Sequence, residues 1–107
     1  MEEKVRRGRL YDFYGALLSE RQREIFEYSV YDDLSLTEIA GLIGITKQGV
    51  SDQLKRCTST MEDMDARLGL CDRFDRIEER LEEIIRIADE RKLLDIRRLA
   101  DEIADEL

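Results

Sequence analysis

From position 50 the apolar residues Val50, Leu54, Cys57, Met61, Met64 and Leu68 follow one another at steps of four, three, four, three and four, and the whole chain contains no proline. Such steps place every one of these side chains on one stripe of a single helix about five turns long. A strand, whose faces alternate every second residue, would scatter them over both sides. Leu70, Phe74, Ile77, Leu81, Ile84 and Ala88 repeat the same alternation. With no proline to remove an amide or clash with the preceding turn, nothing forbids long helices. The spacing therefore predicts an all-α fold with two long helices meeting near Gly69.

Shorter helices precede them. Leu10, Phe13, Tyr14, Leu17 and Leu18 outline one face of a first helix that ends near Ser19. Ser19 followed by Gln22, and Ser35 followed by Glu38, have the spacing of capping boxes, in which hydroxyl and longer side chain satisfy each other's backbone amides. They predict a second helix burying Ile25, Phe26 and Val30, and a short third one carrying Ile39, Ala40, Leu42 and Ile43. Asp32-Asp33 separates the two. Gly44 suits the left-handed position at a helix end, and Thr46 suits the cap of the next. At the far end Ile96, Leu99, Ala100, Ile103 and Leu107 form a sixth helix or continue the fifth, and residues 91–95 leave both readings open. The expected organisation is a helix-turn-helix domain with its N-terminal helices over residues 1–70, then an acidic helical extension over 71–107 packing on the first domain or on a dimer partner. A small chain buries comparatively little surface alone, so the heptad-like seams favour a homodimer.

Composition narrows the function. Charged residues make up 41% of the chain, with 26 acids against 18 bases and a net charge of −8. There is no histidine, which removes the usual general base and the Ser/His and Cys/His nucleophile systems. Cys57 and Cys71 are too few for a disulfide scaffold and lack the partners of a zinc site, so we expect reduced thiols, no metal and no cofactor. The acid pairs Asp32-Asp33, Glu78-Glu79, Glu82-Glu83 and Asp89-Glu90 read as solvated helix faces, with Glu82 and Arg86 as partners one turn apart. No catalytic residue is expected. No apolar run approaches the roughly 20 residues that span a bilayer, and the first residues lack a signal-peptide core; the expected location is the cytoplasm.

One stretch is more specific. A helix-turn-helix needs a small residue where its helices cross, a glycine in the turn four residues later, and an apolar residue six beyond that. Ala40, Gly44 and Val50 meet these demands, with Ile39, Ile43, Ile45 and Leu54 completing the small core. Lys47, Gln48, Ser51, Asp52, Lys55 and Arg56 then point outward. Lys47, Gln48, Ser51, Lys55 and Arg56 suit contact with DNA or with another partner: cations donate to guanine or phosphate, Gln pairs adenine, and Ser binds phosphate. The bland alternative is a solvated helix face. Asp52 favours it, and so does the charge, for residues 1–71 carry −3 and residues 72–107 carry −5. Readers of DNA usually show a basic face, whereas the isoelectric point here is about 4.6. The bases cluster only at Lys4, Arg6, Arg7 and Arg9, at Arg21 and Arg23, and at Lys47, Lys55 and Arg56.

The runs Leu18-Ser19-Glu20-Arg21-Gln22-Arg23-Glu24-Ile25-Phe26, Leu34-Ser35-Leu36-Thr37-Glu38-Ile39-Ala40 and Gly44-Ile45-Thr46-Lys47-Gln48-Gly49-Val50 resemble region 4 of bacterial sigma factors, which reads the promoter −35 element. More closely, residues 10–74 resemble the YlxM family of helix-turn-helix proteins, with Tyr11-Asp12-Phe13-Tyr14-Gly15-Ala16-Leu17-Leu18 matching that family's opening and Gly49-Val50-Ser51-Asp52-Gln53-Leu54-Lys55-Arg56 its second helix. Gly49 stands where a slightly larger residue, often Ala, is usual. The resemblance implies a sigma-region-4-like helix-turn-helix followed by long C-terminal helices, and a non-enzymatic regulatory protein, DNA-binding, acting in the signal recognition particle pathway, with components of that particle as partners. The alternatives are a protein or ribonucleoprotein adaptor that ignores DNA, and a purely structural dimerisation module.

Overall fold

The computed structural model describes residues 3–107 and contains six α-helices among them: α1 Glu3–Tyr14, α2 Glu20–Val30, α3 Leu36–Ile43, α4 Lys47–Leu68, α5 Leu70–Glu90 and α6 Leu94–Glu106. The all-α fold expected from the spacing is the fold observed. The chain divides into two compact units, the first ending at Cys71 and the second beginning at Asp72.

The predicted helix boundaries have their predicted chemistry. Ser19 Oγ accepts the Gln22 amide at 3.1 Å while Gln22 Oε1 accepts the Ser19 amide at 3.1 Å, and Ser35 with Glu38 repeats both bonds. Gly44 and Gly69 end α3 and α4 at φ 82° and 63°, a backbone conformation in which a side chain would be strained.

Three expectations need correction. Helix α1 stops at Tyr14 instead of running to Ser19; a single 3-10 turn, Gly15–Leu17, follows, closed by the Leu18 amide on the Gly15 carbonyl at 3.1 Å. That tighter turn brings Leu18 into the core and leaves Leu17, expected on the inner face, exposed. The seams also fade at two positions, since Leu68 and Ile84 are exposed. Arg86 pairs with Glu83 and Glu90 instead of Glu82. Residues 91–95 do break the helix: the Leu93 amide returns to the Ala88 carbonyl at 2.8 Å and Lys92 takes a left-handed φ of 55°.

The first unit has two adjoining cores. Leu10 and Tyr14 of α1, Leu18, Phe26 and Val30 of α2, and Cys57 and Met61 of α4 form the larger. Ile25, Ile39 and Val50 form the smaller, and Leu54 touches both. Helix α4 is thus the shared spine, and burying each large apolar side chain along it contributes about 1.5–3 kcal/mol. Tyr11 stacks on Phe26 with ring centroids 5.0 Å apart and donates a short hydrogen bond to Glu27.

In the second unit α5 and α6 form a hairpin. Arg97 on α6 pairs with Asp89 on α5 and with Asp101 one turn on. Glu78, Leu81, Glu82 and Ile85 line a recess together with Ala104 and Leu107, so the end of α6 lies beside the middle of α5. Leu81, Ala88 and Ala100 are buried, whereas Ile96, Leu99 and Ile103 of α6 are exposed. No described helix is long and apolar enough to cross a membrane.

Candidate nucleic-acid interface

The site is built on the turn between α3 and α4. Gly44 and Ile45 both return their amides to the Ala40 carbonyl, at 2.9 and 3.3 Å, which reverses the chain within three residues. Thr46 then opens α4, its Oγ1 accepting the Gly49 amide at 3.0 Å. Ile39 and Val50 are fully buried against Ile25 of α2, and Ala40, Ile43, Ile45 and Leu54 pack around them. Ile39, Ala40, Val50 and Leu54 thus share one cluster, and Gly44 lies in the turn that joins the two helices. Arg21, in the first turn of α2, donates to the Ile43 carbonyl at 3.4 Å, and Gln22 donates weakly to Gln53 of α4 at 3.5 Å.

Fixing α4 by Val50 and Leu54 determines which residues it turns outward. At one turn per four residues, Lys47, Ser51 and Lys55 form one row, and Gln48, Asp52 and Arg56 the row beside it. All are exposed except Ser51, which is half-buried. Lys47, Lys55 and Arg56 have no ion-pair partner among the described residues. The N-terminal bases, by contrast, are engaged: Lys4 with Asp33 at 2.8 Å, Arg6 with Glu62 at 2.7 Å, Arg7 with Glu3 at 3.3 Å, and Arg9 through a hydrogen bond to the Cys71 carbonyl at 3.3 Å. Glu62 is also what raises the pKa of the Arg6 guanidinium. Arg23 acts on Tyr11 instead, opposing the burial and the Glu27 contact that push that phenol up to about 12.

The N-terminal bases are therefore committed to partners within the first unit. Lys47, Lys55 and Arg56 remain uncommitted in the first half of α4, and Arg21 stands at the turn beside them. Cations in two adjacent rows, with amide and hydroxyl groups between them, have the chemistry to meet phosphates and base edges together. Two features were not found by reading the sequence. The capping box places Arg21 in the first turn of α2, but its meeting with the end of α3 depends on how α2 and α3 pack. The hydrogen bond from Gln48 Nε2 to Asp52 Oδ1, 3.0 Å, was legible in the i, i+4 spacing and was missed. Among the described residues no group of three or more Cys, Asp or Glu is placed to hold a metal ion.

Comparison with known proteins gives a family. A profile described as "Putative helix-turn-helix protein, YlxM / p13 like", family UPF0122, matches residues 1–104. A UPF0122 protein of Thermoanaerobacter sp. (strain X514) is 46% identical over 102 residues, covering 92% of this chain and 87% of the relative. One of Desulforamulus reducens is 39% identical over 89 residues, covering 83% and 76%, and one of Shouchella clausii is 36% identical over 75 residues, covering 70% and 69%. No solved structure matches significantly.

Proposed function

The chain belongs to the UPF0122 family of YlxM/p13-like helix-turn-helix proteins, and from that premise we propose that it is a non-enzymatic, cytoplasmic regulatory protein whose α4 docks in the major groove of duplex DNA. Lys47, Gln48, Ser51, Lys55 and Arg56 make the contact, with Arg21 reaching a phosphate beside the turn. The observation that carries this reading is that Lys47, Lys55 and Arg56 have no ion-pair partner among the described residues, in a chain whose acids outnumber its bases. Cations left uncommitted among so many carboxylates are available to replace the counterions of a phosphate backbone. We assign the regulation to the signal recognition particle pathway, a reading that the resemblance to YlxM proteins supports.

The net charge of −8 favours a second reading, an adaptor that docks a basic protein or ribonucleoprotein and ignores DNA. Gel-shift and pull-down assays with duplex DNA, signal recognition particle RNA and its GTPase, run side by side over a salt series, separate the two. DNA binding that weakens steeply with salt, with a shallower slope in Lys55→Ala and Arg56→Ala, supports the first. No duplex binding even at low salt overturns it.

The active form is a homodimer. Ile96, Leu99 and Ile103 lie three and four residues apart on one exposed side of α6. Arg97, on the same helix, is already paired with Asp89 and Asp101, and Arg86 with Glu83 and Glu90. Flanking charges neutralised within the hairpin let a second copy of an acidic chain approach this apolar strip.

A further inference from the structure

Asp52 stands in the middle of the face that carries Lys47, Lys55 and Arg56, where a negative charge opposes contact with phosphates. Lys55 and Arg56 follow it by three and four residues, the spacing at which helical ion pairs form. Its carboxylate nevertheless accepts from Gln48 Nε2 at 3.0 Å and is paired with neither cation.

We infer that Asp52 is a positioning residue that orients the amide of Gln48 for reading an adenine, an inference that rests on the reading of α4 as a DNA-contacting helix. A free glutamine amide presents its oxygen and nitrogen in either order. An ionised carboxylate accepts hydrogen bonds and donates none, so it holds only the NH2 end. With one N–H engaged, Gln48 projects Oε1 and its second N–H outward as an acceptor and donor in fixed order. Adenine presents the complementary donor N6 and acceptor N7 in the major groove. The same contact keeps the carboxylate off Lys55 and Arg56, which stay free for phosphate.

The test is selection from a randomised duplex pool with the full-length chain, followed by affinity measurements on the selected site and its single-base variants. The wild-type protein is expected to prefer adenine at one position, and Gln48→Ala to lose that preference. Asp52→Ala is expected to reduce the preference by about threefold to tenfold, the effect of freeing one side chain, while overall affinity is kept or raised. Asp52→Asn, whose oxygen still accepts, retains it. A preference unchanged in Asp52→Ala, or lost equally in Asp52→Asn, overturns the inference, as does binding without any adenine preference that Gln48 controls. A wild-type protein that binds no duplex fails at the first step and overturns the DNA reading itself.

Discussion

The phenol oxygen of Tyr14 donates a 2.7 Å hydrogen bond to Asp65 Oδ1 and accepts one from the Leu70 amide at 3.2 Å, while the same Asp65 oxygen accepts the Cys71 amide at 3.3 Å. A residue of α1 and a residue of α4 thereby supply the partners that the first amides of α5 lack within their own helix. Removing the hydroxyl leaves the Leu70 amide and the aspartate each short of one partner. Tyr14→Phe should lower stability by about 1–2 kcal/mol, and at roughly 4–8 °C per kcal/mol a thermal melt followed by circular dichroism will read it.

The same contact sets two pH limbs. Burial works against the Asp65 charge, but the hydrogen bonds from Tyr14 and the Cys71 amide, with the field of Arg6, outweigh it and hold the carboxyl below its ordinary value. A depressed carboxyl contributes stability that is present above the unfolded value near 4 and lost as pH falls through the folded one. Denaturant melts at pH 7, 4 and 3 should lose less stability in Asp65→Asn than in the wild type. Burial, then the Asp65 hydrogen bond, pushes the Tyr14 phenol up to about 12. Its contribution is fully present below pH 10 and disappears as pH rises through about 12, a loss that Tyr14→Phe removes.

Two glycines three residues apart should respond in opposite directions. Neither Gly41 nor Gly44 has any atom within 4 Å of where a Cβ would stand. Gly41 lies within α3, where alanine is the better helix former, so Gly41→Ala should gain up to about 1 kcal/mol. Gly44 sits at φ 82°, and Gly44→Ala should lose about 1–2 kcal/mol for the left-handed backbone alone. Chemical denaturation of both variants measures the difference, and equal signs would contradict the assignment of Gly44 to the turn.

The two thiols should also separate. Cys57 is fully buried, and burial pushes its thiol up to about 11; Cys71 is only half-buried. In native protein a thiol reagent should modify Cys71 first. In Cys71→Ser the remaining reaction should be slow and should accelerate with sub-denaturing urea, because Cys57 becomes thiolate only when α4 opens. Fast labelling of Cys57 without urea would show that the larger core is loosely closed.

Local rules made most of the backbone legible. Ser19/Gln22, Ser35/Glu38, Thr46, Gly44 and Gly69 act within one turn of themselves, so their caps and helix ends were readable from neighbours in the sequence. What escaped were effects of tertiary packing. The 3-10 turn after Tyr14 exposes Leu17 although its spacing puts it on the inner face, and Ile84 stays exposed on a seam whose neighbours Leu81 and Ala88 are buried. The proposed contact face is drawn from the outward residues of α4, whose exposure followed from the helical spacing. Its electrostatics were not legible, because Lys4 meets Asp33 across 29 residues and Arg6 meets Glu62 across 56, pairings that no local spacing announces.

The exposed strip on α6 gives the last prediction. A solvent-facing leucine contributes little to the hairpin itself, so polar substitution there should leave helicity intact and act on association alone. At micromolar concentration, light scattering should give the mass of a dimer for the wild type. Leu99→Gln and Ile103→Gln together should give a monomer with an unchanged far-ultraviolet spectrum. Glutamine is chosen over glutamate because a chain carrying −8 would also be driven apart by added charge, and the neutral variant tests the apolar contact. A monomeric wild type, or a variant that remains dimeric, would remove α6 as the dimer surface.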